Sequence, residues 1–183
     1  GYELWRSDGT QDGTYLVKDI NSGASGAFPS NFMEMPFMAV MDHVLYFQAY
    51  NSATGSELWR SDGTEGGTWL LKEIVPGVLG GEIEMIEEEG GKLYFSCRNE
   101  AGHYAVWTSD GTADGTIELG EIYLLTYDPS VSEHFVEYNG WIYFAGGYSP
   151  TFGSYDVHLW RTDGTPQGTS QFMDFGLSDG SNP

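Results

Sequence analysis

Asp8 with Asp12 and Asp110 with Asp114 are two carboxylate pairs, each four residues apart in a glycine-containing segment. Carboxylate oxygens suit Ca²⁺, so these four aspartates are the candidate metal ligands, provided that further oxygens converge on them. The spacing is not that of an EF-hand loop, and two sister segments carry Gly66 and Gln167 where the second acid would stand. A second acidic group, Glu87-Glu88-Glu89 with Glu82 and Glu84 before it, would make a funnel for a cation or a sugar if its strand lined a channel. Carboxylate pairs also cleave glycosidic bonds, but only at a separation that the fold must set. Tyr50, Tyr104, Tyr148, Phe152 and Tyr155 are expected in variable loops, where their ring faces could stack on sugars, and Tyr148, Phe152 and Tyr155 share one loop.

Other chemistry is sparse. His43, His103, His134 and His158 have no common partner and read as scattered surface or turn residues. Cys97, the single cysteine, falls in an aromatic segment and reads as a small buried hydrophobe. No Gly-x-Ser-x-Gly, metal-type His/Cys spacing or phosphate loop occurs. No catalytic residue is therefore expected, the chain is read as not an enzyme, and Ca²⁺ is the one cofactor considered.

A repeat must position these groups. Glu3-Leu4-Trp5-Arg6-Ser7-Asp8-Gly9-Thr10 returns as Glu57-Leu58-Trp59-Arg60-Ser61-Asp62-Gly63-Thr64, and twice more with changes at Ala105 and His158. The tryptophans Trp5, Trp59, Trp107 and Trp160 are spaced by 54, 48 and 53 residues. The turn residues follow at Asp8-Gly9-Thr10, Asp62-Gly63-Thr64, Asp110-Gly111-Thr112 and Asp163-Gly164-Thr165. An aspartate in such a turn accepts from backbone N–H two residues on, and threonine adds a local bond. Because every copy has them, these residues read as structural turn residues, with the tryptophan packed between units.

Four strand-like segments make each unit. The first spans 37–41, 83–87 and 133–137; the second spans 44–49, 92–97 and 141–145. Between them stand Asp42-His43, Gly90-Gly91 and Asn139-Gly140, and the glycine-containing pairs are those a type I′ hairpin favours. The third strand holds the tryptophan, and the fourth spans 15–20, 69–74 and 117–122. No helical periodicity is evident. The expected fold is all-β, with β-propeller-like blades of four antiparallel strands and about 3.5 blades in the chain. The units run 1–31 (a half blade plus linker), 32–80, 81–130 and 131–183, as a segment of a longer chain.

Of the 183 residues, 27 are acidic and 7 basic, a formal net charge of −20. That balance argues against phosphate neutralisation, hence against nucleic acid as a partner, and against binding an anionic membrane surface. No run of apolar residues is long enough to span a bilayer, so no membrane insertion is expected.

The Glu-Leu-Trp-Arg-Ser-Asp-Gly-Thr octet resembles the ELWxxDGT repeat family, and Lys18-Asp19-Ile20-Asn21-Ser22-Gly23 also fits that family's pattern. The resemblance implies a propeller-like β fold and a secreted or cell-surface setting, and it carries over no catalytic residues. The expected role is a non-enzymatic extracellular repeat module, structural or adhesive, joined into an envelope or filament through open sheet edges. Its partners would be further copies, neighbouring repeats, a glycan or a cell-surface molecule. The alternative is a lectin-like glycan-binding propeller using Tyr148, Phe152 and Tyr155, and behind it a glycosidase-like enzyme.

Overall fold

The computed structural model describes residues 1–28, 37–124, 134–147 and 158–174. Every regular element among them is a β-strand. β1 (Leu4–Arg6) and β2 (Tyr15–Lys18) form an antiparallel pair, sheet I. β3 (Met38–Met41), β4 (Val44–Asn51), β5 (Gly55–Ser61) and β6 (Trp69–Lys72) form sheet II in sequence order. β7 (Met85–Glu89), β8 (Lys92–Arg98), β9 (Tyr104–Ser109) and β10 (Ile117–Gly120) repeat that order as sheet III. In sheet IV, β11 (Tyr123–Leu124) and β12 (Phe135–Tyr138) both pair with β13 (Trp141–Gly147), followed by β14 (His158–Thr162) and β15 (Ser170–Asp174).

Hairpin chemistry sets the inner half of each sheet. Asp42 and His43 have φ of 51° and 63°, Gly90 and Gly91 60° and 79°, and Asn139 and Gly140 52° and 75°. Two consecutive positive φ values give the turn whose twist matches the strands, as the expected hairpins require. Strand ends differ from expectation by a residue or two, most at β7, which lies two residues later. The fourth strands stop early at Lys18, Lys72 and Gly120 because a bulge follows each third-strand leucine or its equivalent. Beyond that bulge Ile20, Ile74 and Ile122 turn inward and are buried, so they open the linkers instead of ending strands.

Alternation along the strands then builds the core in three layers, each between consecutive sheets. Ile20, Ala27, Phe47, Ala49 and Trp59 join sheets I and II. Leu58, Leu71 and Ile74 meet Phe95, Cys97 and Trp107 between sheets II and III. Val106, Leu119 and Ile122 meet Phe135, Phe144 and Trp160 between sheets III and IV. Phe95 stacks on Trp107 and Phe144 on Trp160, with ring planes 19° and 16° apart. The signature tryptophan thus faces the preceding sheet, as expected, at Trp59, Trp107 and Trp160. Trp5 departs from this: it is 58% exposed, and among the described residues no sheet packs on that face of sheet I.

Candidate functional site

One turn is built four times. Asp62 Oδ1 accepts from the Thr64 N–H at 2.8 Å and from the Thr64 hydroxyl at 2.7 Å. Thr64 Oγ1 accepts in turn from the Gly67 N–H, and Ser61 Oγ shares a hydrogen bond with Thr68 Oγ1. The same bonds recur at Asp8 with Thr10, Asp110 with Thr112 and Asp163 with Thr165. The Thr hydroxyl is the main reason that each of these carboxyls titrates below the ordinary aspartate range. Gly9, Gly63, Gly111 and Gly164 sit at φ between 85° and 91°, where a side chain would be strained. The second glycine has a different reason: a Cβ on Gly67 would overlap the Asp62 carboxylate, and Gly13, Gly115 and Gly168 meet their own aspartates the same way.

The signature glutamate was not among the expected site residues, yet it ties each unit to its linker. Glu57, fully buried, accepts from Ile74 N–H at 2.8 Å and Val75 N–H at 2.9 Å. Burial pushes its carboxyl up to about 7, against the pull of those amide bonds. Glu3 does the same for the amides of Ile20, Asn21 and Ala27. Each linker then bridges two sheets: Gly81 and Glu82 donate to Ser56 O, while Gly81 O accepts from Arg98 N–H in sheet III. Gly80 allows this approach, since its φ is 69° and a Cβ there would strike the Ser56 backbone. Where Ala105 replaces the glutamate, the following segment instead pairs with β13 as β11. The signal in the sequence was Ala105 in place of the glutamate.

Acids and histidines on the inner strands are more engaged than expected. Glu87 on β7 accepts from His134 Nδ1 at 2.7 Å and from the amides of His134 and Phe135, which join sheet III to the start of β12. His134 and His158 are not surface residues: the His134 side chain is 18% exposed and His158 is buried. Tyr50 and Tyr104 lie in β4 and β9 and not in loops, and burial pushes the Tyr104 phenol up to about 12. Tyr104 packs edge-on against Tyr123 with Arg98 over its ring. Cys97 is fully buried in the core between sheets II and III, and burial pushes its thiol up. The sugar-stacking candidates Tyr148, Phe152 and Tyr155 lie outside the described residues, as do the unit boundaries at 31/32 and 130/131.

Among the described residues no three His, Cys, Asp or Glu side chains converge as a metal group. In the two candidate pairs, Asp8 and Asp110 are spent on the turn, leaving Asp12 and Asp114 as the acids beside it. No helix among the described residues is long and apolar enough to cross a membrane. Among the described residues β1 has one hydrogen-bonded neighbour, whereas β5, β9 and β14 each have two. An open groove of about 220 Å³ lies beside β1, lined by Leu4 and Trp5 and by Val40, His43 and Leu45 of sheet II.

No protein-family model matches the chain, and no curated protein matches it. Two solved structures resemble it: a thermostable family-43 glycoside hydrolase (TM-score 0.35, 13% identity, 76% of this chain and 50% of that one) and an alpha-L-arabinofuranosidase from Clostridium thermocellum (TM-score 0.33, 13% identity, 85% and 55%). The chain spans about half the length of each. Both of those proteins are glycoside hydrolases, and the expectation that this chain is not an enzyme is not upheld by them. The lack of a short catalytic motif does not exclude an enzyme, because two-carboxylate chemistry needs only a separation that a fold sets.

Proposed function

We propose that the chain is a β-propeller-type repeat module of a secreted or cell-surface protein, with a structural or adhesive role, whose sheet I is completed by strands of a neighbouring repeat. Each complete sheet is read as one blade and sheet I as a half blade, with the first strands side by side, β3 beside β7 and β7 beside β12. The observation that carries the reading is the unpaired side of β1. A strand laid there would hydrogen-bond the edge and fill the groove, covering Met38 and Val40, now 45% and 59% exposed. The acidic surface keeps such a module soluble between partners.

Electron microscopy of the native material tests this. The expected result is continuous arrays in which a strand from another repeat pairs with β1. Isolated closed rings lacking any pairing between molecules would sink the assembly role, and antibody labelling confined to the cell interior would sink the surface setting.

A further inference from the structure

We propose that Asp114 and Asp12 are sites of spontaneous isoaspartate formation, while Asp110 and Asp8, in identical tripeptides beside them, are shielded from it. This goes beyond the repeat-module reading and does not depend on it. The turn between β9 and β10 holds two Asp-Gly-Thr tripeptides, 110–112 and 114–116, and that between β1 and β2 holds 8–10 and 12–14. Asp-Gly is the bond at which an aspartate most readily closes on its own backbone, because glycine has no side chain to obstruct its nitrogen. The reaction exchanges water alone. Gly115 N attacks Asp114 Cγ, the new C–N bond replaces a C–O bond, and the hydroxyl leaves as water with the amide proton. Water then opens the succinimide at either carbonyl. Opening at Cγ returns aspartate, and opening at the main-chain carbon leaves isoaspartate, with the chain routed through the side chain.

The glycine amides do not distinguish the two tripeptides, since Gly111 N–H donates to Ser109 Oγ and Gly115 N–H to Thr112 Oγ1. The carboxylates do. Asp110 Oδ1 accepts from the Thr112 N–H at 2.9 Å and from the Thr112 hydroxyl at 2.6 Å. The hydroxyl also holds this carboxyl below the ordinary aspartate range, so the neutral form that can lose water is scarcer. Asp114 has the same following residues without the same bonds. Thr116 gives its hydroxyl to Thr112 O at 2.6 Å and meets Ser109 Oγ, and the exposed Asp114 accepts no hydrogen bond from the described residues. In the β1–β2 turn the Thr14 N–H likewise goes to Gln11 O and not to Asp12. An isoaspartate adds a methylene to the main chain where Gly115 has no spare room beside the Asp110 carboxylate. Modification at Asp114 therefore draws Gly115 away from Thr112 and disturbs the segment whose Ala113 O takes the Lys72 ammonium of sheet II.

Incubating the folded chain at mildly acidic pH, then mapping isoaspartate by peptide fragmentation, tests this. Asp114 is expected to carry at least about tenfold more isoaspartate than Asp110, because reaction at Asp110 must first break two hydrogen bonds. Asp12 should lead Asp8 in the same way, with Asp62 and Asp163 as slow as Asp110. In urea, where the turn is gone, the two tripeptides should react at similar rates. Thr112→Val should raise Asp110 alone, with Asp62 and Asp163 serving as gauges of global unfolding in the same molecule. An Asp114 no faster than Asp110 in the folded chain overturns the proposal, as does a bias that persists in urea or an Asp110 unmoved in Thr112→Val. Should that variant fail to fold, the wild-type ratio with and without urea decides alone.

Discussion

At the Asp62 turn a single carboxylate oxygen takes both donors of Thr64, and Gly67 closes over it with no room for a side chain. The two residues therefore depend on each other. Asp62→Ala should lower the unfolding midpoint, because losing a local acceptor leaves the Thr64 backbone and hydroxyl donors to solvent. Gly67→Ala should cost about 1 kcal/mol in the wild type, through overlap with the carboxylate, and much less once Asp62 is alanine. Urea unfolding of the four proteins in that cycle measures the coupling. Additive losses would mean that the glycine is there for another reason.

The linkers are the elements that Glu57 organises, and their stability carries a pH signature. The folded carboxyl lies near 7 against 4.5 when exposed, so its contribution is full below 4.5 and is lost as pH rises through about 7. The turn aspartates run the opposite way: their lowered values make a contribution that is full above the ordinary aspartate range and lost as pH falls through them. Glu57→Ala should destabilise by about 2–3 kcal/mol at pH 4.5, leaving buried amides of Ile74 and Val75 without acceptors. The gap between wild type and variant should then narrow between about pH 4.5 and 7 and stay level above, read from unfolding midpoints across a pH series. A gap that widens would refute the buried, protonated state. In the β3–β4 hairpin, His43 bears φ of 63° without being glycine. His43→Gly should raise stability by about 0.5–1 kcal/mol in the same assay, because the left-handed conformation is strained for other residues.

On the scale of the whole molecule, a net charge of −20 opposes both compaction and association. Adding salt from low ionic strength to about 0.15 M should raise the thermal midpoint, since the Debye length falls to about 8 Å and distant acids cease to repel. Calorimetry in NaCl measures this. A midpoint that rises only with CaCl₂ at matched ionic strength would show instead that the carboxylates, Asp12 and Asp114 among them, bind calcium specifically.

Much of the fold was legible because it is local. The Gly-Gly and Asn-Gly pairs fix their own hairpins, the Asp-Gly-Thr segments close their own turns, and four recurrences of Trp mark one packing position. Those bonds form within a few residues, so sequence spacing alone determines them. What lay beyond it involves residues brought from far apart. Glu57 became a buried linker anchor, His134 found Glu87 across two sheets, and Tyr104 went into a strand instead of a loop. The signature tryptophan itself, identical in all four copies, is core in three and surface at Trp5. Sequence determined the repeating unit, while only the stacking of sheets decided which faces are covered, because burial depends on what lies across the layer and not on the strand's own residues.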